Sequence, residues 1–377
     1  AGFERRADRR ADQRQRKGQR GHEHVPAMRA HGLRNADQEH AHHAAGGRFQ
    51  LFVVGGGLLA LVGGALFALS LSGEAADRAW HLFHVNWLYF TGLAGGSVAI
   101  AAVHKIVKAK WSGVVLRFAE AAVAFFPVSL LGLVLIFTLG YDHIYGPMHE
   151  QLHSMAHAKA LWLSKPWMFG RLFIGLAALY YLGWRLIRAD LLPDIADTVG
   201  QAEGARRARY DRMLAGFDNS EAGRAAHEAR LHRLAPLYAA TYAMVFTMVA
   251  FDGIMALQPH WFSNLLGGFY FMGSFLGAHM LLALMVMYAG TQTGVWHLIS
   301  PKQRHDLGKL CFGFTVFWAY LMFAQFLVIW YGNLPEETGF VFARLWGTWL
   351  PIGRAVFLGM FLIPFIGLLG VGPKKFP

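Results

Sequence analysis

The chain has 377 residues, one cysteine and a formal charge of +12 at neutral pH; 55% of its residues are hydrophobic and 15% are Asp, Glu, Lys or Arg. That apolar share exceeds the roughly 45 to 50% of soluble domains and falls in blocks of twenty or more, long enough at 1.5 Å per residue to cross about 30 Å of hydrocarbon. The lone Cys311 excludes an internal disulfide framework and a cysteine-ligated cluster held by this chain.

Residues 1–48 are rich in Arg, Ala, Gln, Asp and His and poor in aromatics, from Arg5-Arg6 to His42-His43. Such a composition buries no core, so it reads as a disordered basic cytoplasmic tail. A solvated tail with weak attraction to anionic lipid is expected there, and no nucleic-acid partner. The chain opens on Ala1 with Met28 downstream, so the segment also reads as a misassigned start.

The transmembrane domain spans 49–371. Eight spans follow in chain order, at about 50–72, 86–108, 114–139, 166–188, 237–257, 263–290, 307–331 and 347–371. Helices are expected, because lipid satisfies no backbone polar group and no alternating barrel pattern occurs. The class is therefore all-α and polytopic. Loops rich in Lys and Arg alternate with poor ones: Lys105, Lys108 and Lys110, the basic 189–234 loop, Lys302 with Arg304, and Lys374 with Lys375. The positive-inside rule puts these and the N-terminus in the cytoplasm. Gly55 to Gly57, Gly63, Gly64, Gly267, Gly268, Gly273 and Gly277 supply small faces for helix packing rather than a phosphate loop, since no strand precedes them.

A charge at the bilayer centre costs at least about 2.5 to 3.5 kcal/mol, so ionisable groups there mark candidate sites. Counted along each helix, Arg171, Asp252, Gln325 and Arg354 lie roughly 8 to 10 Å below the outer boundary, and His104, Glu120 and His279 at roughly 22 to 28 Å. Arg171 or Arg354 is the natural partner for Asp252. Asp252 shares a helical face with Met248, Val245, Thr241 and Tyr238, which is expected to look inward. The two layers suit a proton path or a quinone head-group site. The plainer reading is a structural ion pair outside and snorkelling Arg117, Glu120 and His104 inside. Only His279 lies well inside a span, so a haem held between facing histidines is not expected.

In the outer 140–165 loop, His149, His153 and His157 recur every four residues, beside His143 and Glu150. On a helix they would line one face, which suits a metal or, more plainly, an amphipathic helix resting on a partner subunit. His81 and His84 read as interfacial. No metal ligand set is assigned.

Three stretches are more particular: Ala250-Phe-Asp252 through Pro259-His260-Trp261-Phe-Ser263, His305-Asp306-Leu-Gly-Lys309, and Phe317-Trp318-Ala-Tyr320 through Gln325 to Trp330-Tyr331-Gly-Asn333-Leu-Pro335-Glu336-Glu337-Thr338. They resemble the polysulfide-reductase (NrfD-like) membrane subunits, most closely the second, shorter such subunit of bacterial alternative complex III, a quinol:cytochrome c oxidoreductase. The resemblance runs over about 49–371. It implies two four-helix bundles within ten spans, two more than this chain shows, with two C-terminal helices expected beyond it. It implies no haem or cluster in this chain, a quinone such as menaquinone as the ligand of the family, and no catalysis by this subunit alone. Its partners would be membrane lipid, a larger NrfD-like paralogue, iron-sulfur and haem c subunits, and a terminal oxidase, in a bacterial inner membrane. By motif it marks Asp252 and the Glu336-Glu337 turn. A polysulfide- or nitrite-reductase-type anchor is the alternative within the family, and a secondary transporter the alternative outside it.

Overall fold

The computed structural model describes residue 50 and residues 53–73, 75–292 and 295–375, so the 1–48 tail lies outside the described residues. No strand occurs among the described residues, and eight helices are long and apolar enough to cross a membrane. These spans run Val53–Ser70 (α1), Ala76–Ile106, Gly113–Thr138, Lys165–Gln201, Glu221–Leu257, Leu265–Gln292, Pro301–Gly332 and Leu350–Gly367.

Two elements begin or end well away from the hydropathy boundaries. Helix α2 (Ala76–Ile106) starts ten residues before the expected Asn86, and α7 (Lys165–Thr198) runs ten past Arg188. The 189–234 stretch is not a loop: it holds the end of α7, α8 (Gly204–Leu214) and the start of α9 (Glu221–Gly253). Hydropathy marks where lipid ends, whereas a helix continues as long as its backbone bonds and caps are satisfied. Here Ser220 caps α9 by accepting from the Gly223 amide at 3.1 Å, and Arg224 grips Asp197 of α7 at 2.5 Å.

The third span is α3 (Gly113–Glu120) and α4 (Phe126–Thr138), joined through a 3₁₀ stretch over Ala121–Phe125. Pro127 has no N–H to offer the carbonyl of Val123, and the tighter turn absorbs the loss. Pro364 does the same to the last span: α13 (Leu350–Phe357) passes through a π turn at Leu358–Leu362 into α14 (Ile363–Gly367).

Helices α2, α4, α7 and α9 pack in a ring, each against two neighbours, and form one complete four-helix bundle. Its aromatic and aliphatic core includes Phe126, Leu133, Leu176, Leu179, Tyr238 and Phe246. Small residues permit the approach. A Cβ at Gly96 of α2 would stand 2.7 Å from the backbone oxygen of Ser274 in α10 (Leu265–Gln292), and one at Gly183 would stand 2.7 Å from the Phe126 ring. These glycines, with Gly92, Gly95 and Gly132, do the packing, as do Gly267, Gly273 and Gly277. At Gly64 and Gly268 no described atom lies within 4 Å of such a Cβ, which corrects the small-face reading of those two positions.

Helix α10 meets α11 (Pro301–Gly332) through Phe269 against Trp318 and Phe275 against Phe314. Helices α12 (Pro335–Leu345), α14 and α15 (Gly372–Lys375) pack on α11. Of the first span, Phe67 meets Trp80 edge to face and stacks on Phe83 at the start of α2. Among the described residues, 53–63 group with 288–292 and 295–297 as a separate unit, in which Leu58, Leu59, Leu61 and Val62 are exposed.

Candidate functional site

The bundle of α2, α4, α7 and α9 encloses two polar clusters at opposite ends. At one end, Arg171 of α7 holds Asp252 of α9 in a two-point grip, Nε to Oδ2 at 2.6 Å and Nη2 to Oδ1 at 2.5 Å. The Asp252 side chain is fully buried and that of Arg171 is 16% exposed. The guanidinium also donates to the Trp162 carbonyl at 2.8 Å and lies 3.9 Å from the Trp162 ring centre. Planar, forked and weakly hydrated, a guanidinium suits such a dry site better than an ammonium would. Of the two partners that depth allows, Asp252 takes Arg171. Arg354 of α13 is exposed and has no ion-pair partner among the described residues.

Two further side chains fix the backbone beneath this pair. In α5 (Tyr141–Glu150), Tyr145 donates its hydroxyl to the carbonyl of Asp252 at 3.1 Å. Burial, then the Asp252 charge, push that phenol well above its ordinary pKa, so it remains a donor. His84 of α2 reaches the Gly253 carbonyl through Nε2 at 2.7 Å. A carbonyl only accepts, so Nε2 carries the proton and the buried, unpartnered Nδ1 of a neutral ring has a free lone pair. His84 is 3% exposed, which corrects its interfacial reading. Counting from Asn86 made it a loop residue; the early start of α2 puts it inside the bundle.

At the other end, Arg117 of α3 touches three carboxylates. Its Nη1 reaches Glu120 Oε2 at 2.5 Å and Asp190 Oδ2 at 3.1 Å, and its Nη2 reaches Asp194 Oδ2 at 2.6 Å. Lys105 of α2 pairs with Asp190 from the opposite side. Three acids thus share two cations, leaving one formal negative charge in excess, and Glu120 Oε1 is buried without a hydrogen-bond partner. A buried carboxylate with an idle oxygen beside a second carboxylate is a place where a proton can reside. Arg117 and Glu120 therefore do not snorkel singly. Asp190 and Asp194 were invisible to the span count, which ended the helix at residue 188. Their four-residue spacing from each other, following an apolar run, was the signal available.

His104 of α2 and His279 of α10 are both buried, and each directs Nδ1 at the carbonyl four residues earlier, Ile100 and Phe275, at 2.8 Å. His104 meets the Trp111 ring, and His279 sits between Phe275 and Phe314. In each neutral ring Nε2 is the proton-accepting nitrogen.

Between the clusters runs a short hydroxyl chain. Thr91 of α2 bonds Ser129 of α4 at 2.6 Å, and Ser129 bonds Tyr180 of α7 at 2.7 Å, while Trp87 donates to the Ser129 carbonyl at 2.8 Å. His84, Trp87 and Thr91 follow one face of α2. From Tyr180 to Asp190 along α7 is ten residues, about 15 Å. Leu186 and Ile187 are buried on that stretch, so the hydroxyl chain belongs to the Asp252 half of the bundle.

The remaining expected positions separate from this bundle. Gln325 of α11 accepts from the Ser263 hydroxyl at 2.5 Å, so it and Asp252, expected at one depth, belong to two separate sites. It borders an apolar groove of about 480 Å³ lined by Leu266, Phe269, Trp318, Phe340 and Trp349, with Gln258 and Arg344 at its polar points. Asn333 ends α11 in a left-handed conformation, φ 47°, and Pro335 opens α12, so Glu336 and Glu337 occupy a helical first turn where acids favour the helix dipole. Glu336 is exposed. The face predicted for His149, His153 and His157 does not form: α5 ends at Glu150, His153 lies in a 3₁₀ turn, Met155 is extended, and His157 begins α6 (His157–Trp162). Among the described residues no group of three His, Cys, Asp or Glu could hold a metal. No protein-family model and no curated protein matches the chain.

Proposed function

We propose that this chain is an integral membrane subunit of a quinol:cytochrome c oxidoreductase of the alternative complex III type, in which it supports quinol oxidation and carries protons through its first bundle. In this reading it lies in a bacterial inner membrane with the N-terminus in the cytoplasm. A larger NrfD-like paralogue and iron-sulfur and haem c subunits hold the redox centres, and electrons pass on towards a terminal oxidase. The chain itself completes no redox reaction.

The observation that carries the proposal is the pairing of two buried, proton-capable clusters in one bundle: Arg171, Asp252 and His84 at one end, and Arg117, Glu120, Asp190 and Lys105 at the other. A purely structural ion pair needs neither the idle Nδ1 of His84 nor an acid in excess of its cations. Asp252 also belongs to the most particular stretch of the family resemblance. In the proposed cycle the inner cluster holds a proton on Glu120 or Asp190. The outer cluster then delivers it through the His84 Nδ1 and Asp252 region when the bundle opens over the apolar stretch between Tyr180 and Asp190.

The test is respiration in membranes carrying Asp252→Asn or Glu120→Gln. Slowed proton release per electron with the complex assembled supports the reading, and unchanged quinol oxidation together with unchanged proton release refutes it. Co-isolation with haem c and iron-sulfur subunits separates it from a transporter, which would purify alone and bind a solute.

One observation favours a second reading, a quinone-binding anchor of a polysulfide- or nitrite-reductase-type complex. The groove beside Gln325 is apolar and furnished with amide and guanidinium donors from Gln258 and Arg344, features that suit a quinone ring and its tail. Loss of quinone binding on Gln325→Leu, with co-isolation of a molybdopterin subunit, would favour this alternative.

A further inference from the structure

The end of the bundle that carries Arg117 and Asp190 also holds a second cavity, of about 520 Å³, between α8 and the α7 and 3₁₀ segments. Three arginines reach it: Arg188 from α7, and Arg209 with Arg212 one turn apart on α8. Trp184, Ile187 and Leu191 form its apolar wall. Trp184 is 48% exposed and lies 5.5 Å below the Arg188 guanidinium, the amphipathic arrangement that tryptophan adopts at head-group level. Arg188 also donates to the Met213 carbonyl at 3.3 Å, which ties α8 down over the cavity.

The acids of this region are engaged elsewhere. Asp194 pairs with Arg117, Asp197 with Arg224 and Asp211 with Arg207. Arg188, Arg209 and Arg212 face no carboxylate within ion-pair distance among the described residues. Three like charges gathered without a counter-ion repel one another, and the arrangement gains most from an anion that offers several oxygens to forked guanidinium donors. The apolar wall decides between anions, since a free phosphate has no use for Trp184, Ile187 and Leu191.

We propose that this cavity binds an anionic phospholipid of the arginine-side leaflet, its phosphate held by Arg188, Arg209 and Arg212 and its acyl chains lying on Trp184 and Ile187. Basic pockets between helices and surface segments are the usual lodging for such head groups. The bound lipid would fix α8 against α7 near Asp190, and so steady the cluster at that end of the bundle. The inference rests on the membrane placement of the helices and not on any electron-transfer role.

The experiment reconstitutes the full chain in nanodiscs of phosphatidylcholine containing a minor fraction of phosphatidylglycerol or cardiolipin, and counts retained lipid by native mass spectrometry. The wild-type chain is expected to retain the anionic lipid over phosphatidylcholine. R209Q/R212Q should lower that preference roughly thirtyfold, from the usual effect of a basic residue near an anionic surface. R209K/R212K should restore most of it, and R206Q/R230Q, which removes equal charge outside the cavity, should leave it unchanged. Equal retention of neutral and anionic lipid by the wild type overturns the proposal whether or not the variants fold. So does equal anionic occupancy in R209Q/R212Q, or displacement of the lipid by inorganic phosphate alone. No turnover is needed, so failure here is distinguishable from failure of the quinol-oxidising assignment.

Discussion

Replacing Arg171 with methionine strands a carboxylate in the bundle. Asp252 has no exposed side-chain surface, both of its oxygens are taken by Arg171, and the Tyr145 hydroxyl serves its carbonyl instead. Removing one partner of such a buried pair costs about 3–5 kcal/mol, because the survivor stays charged without compensation. The converse change, Asp252→Asn, is milder. Arg171 retains 16% exposure, its bond to the Trp162 carbonyl and its contact with the Trp162 ring, so about 1–3 kcal/mol is expected. The double change R171M/D252L removes both charges and should recover most of the loss, as replacing both members of a buried pair commonly does. Thermal unfolding in detergent, followed by circular dichroism and by labelling of Cys311, orders these variants. Cys311 is the only thiol and is 1% exposed, so labelling reports opening. Equal losses in the two single variants, or a double variant no better than R171M, would refute the account of a desolvated pair.

Tyr145→Phe removes a donor from a buried carbonyl and should cost about 1–3 kcal/mol by the same unfolding measurement. Gly96→Val drives a side chain into the Ser274 backbone and should destabilise by about 1–3 kcal/mol, whereas Gly268→Ala, with open space around it, should be neutral within about 0.5 kcal/mol. Glu120→Gln removes the excess negative charge while Arg117 keeps Asp190 and Asp194, so the melting temperature should hold or rise as proton release falls; a lower melting temperature contradicts the charge count.

The spans were legible because hydropathy reports directly on the lipid interval, and all eight appear within a few residues of at least one expected edge. Depth along a helix also brought Arg171 and Asp252 together, since opposite charges at one level in lipid have few other partners. What depth alone could not supply was azimuth. Gln325 shares the level of Asp252 and belongs to a different groove, and Arg354 shares it and faces outward. Helix length beyond the membrane was equally hidden, and it decided the most: the early start of α2 buries His84, and the extension of α7 delivers Asp190 to Arg117. The histidines every four residues failed as a face because the chain turns between His149 and His157, with Met155 extended. Periodicity shows which residues would align if a helix continues, and says little about whether it does.

The most direct test of the central claim is the number of protons released per electron by the assembled complex in sealed vesicles, compared between wild type and Asp252→Asn under quinol-driven turnover. The account predicts that electron flow persists with a reduced proton count. An unchanged proton count in Asp252→Asn, with the complex intact, would contradict a proton-carrying role for this bundle.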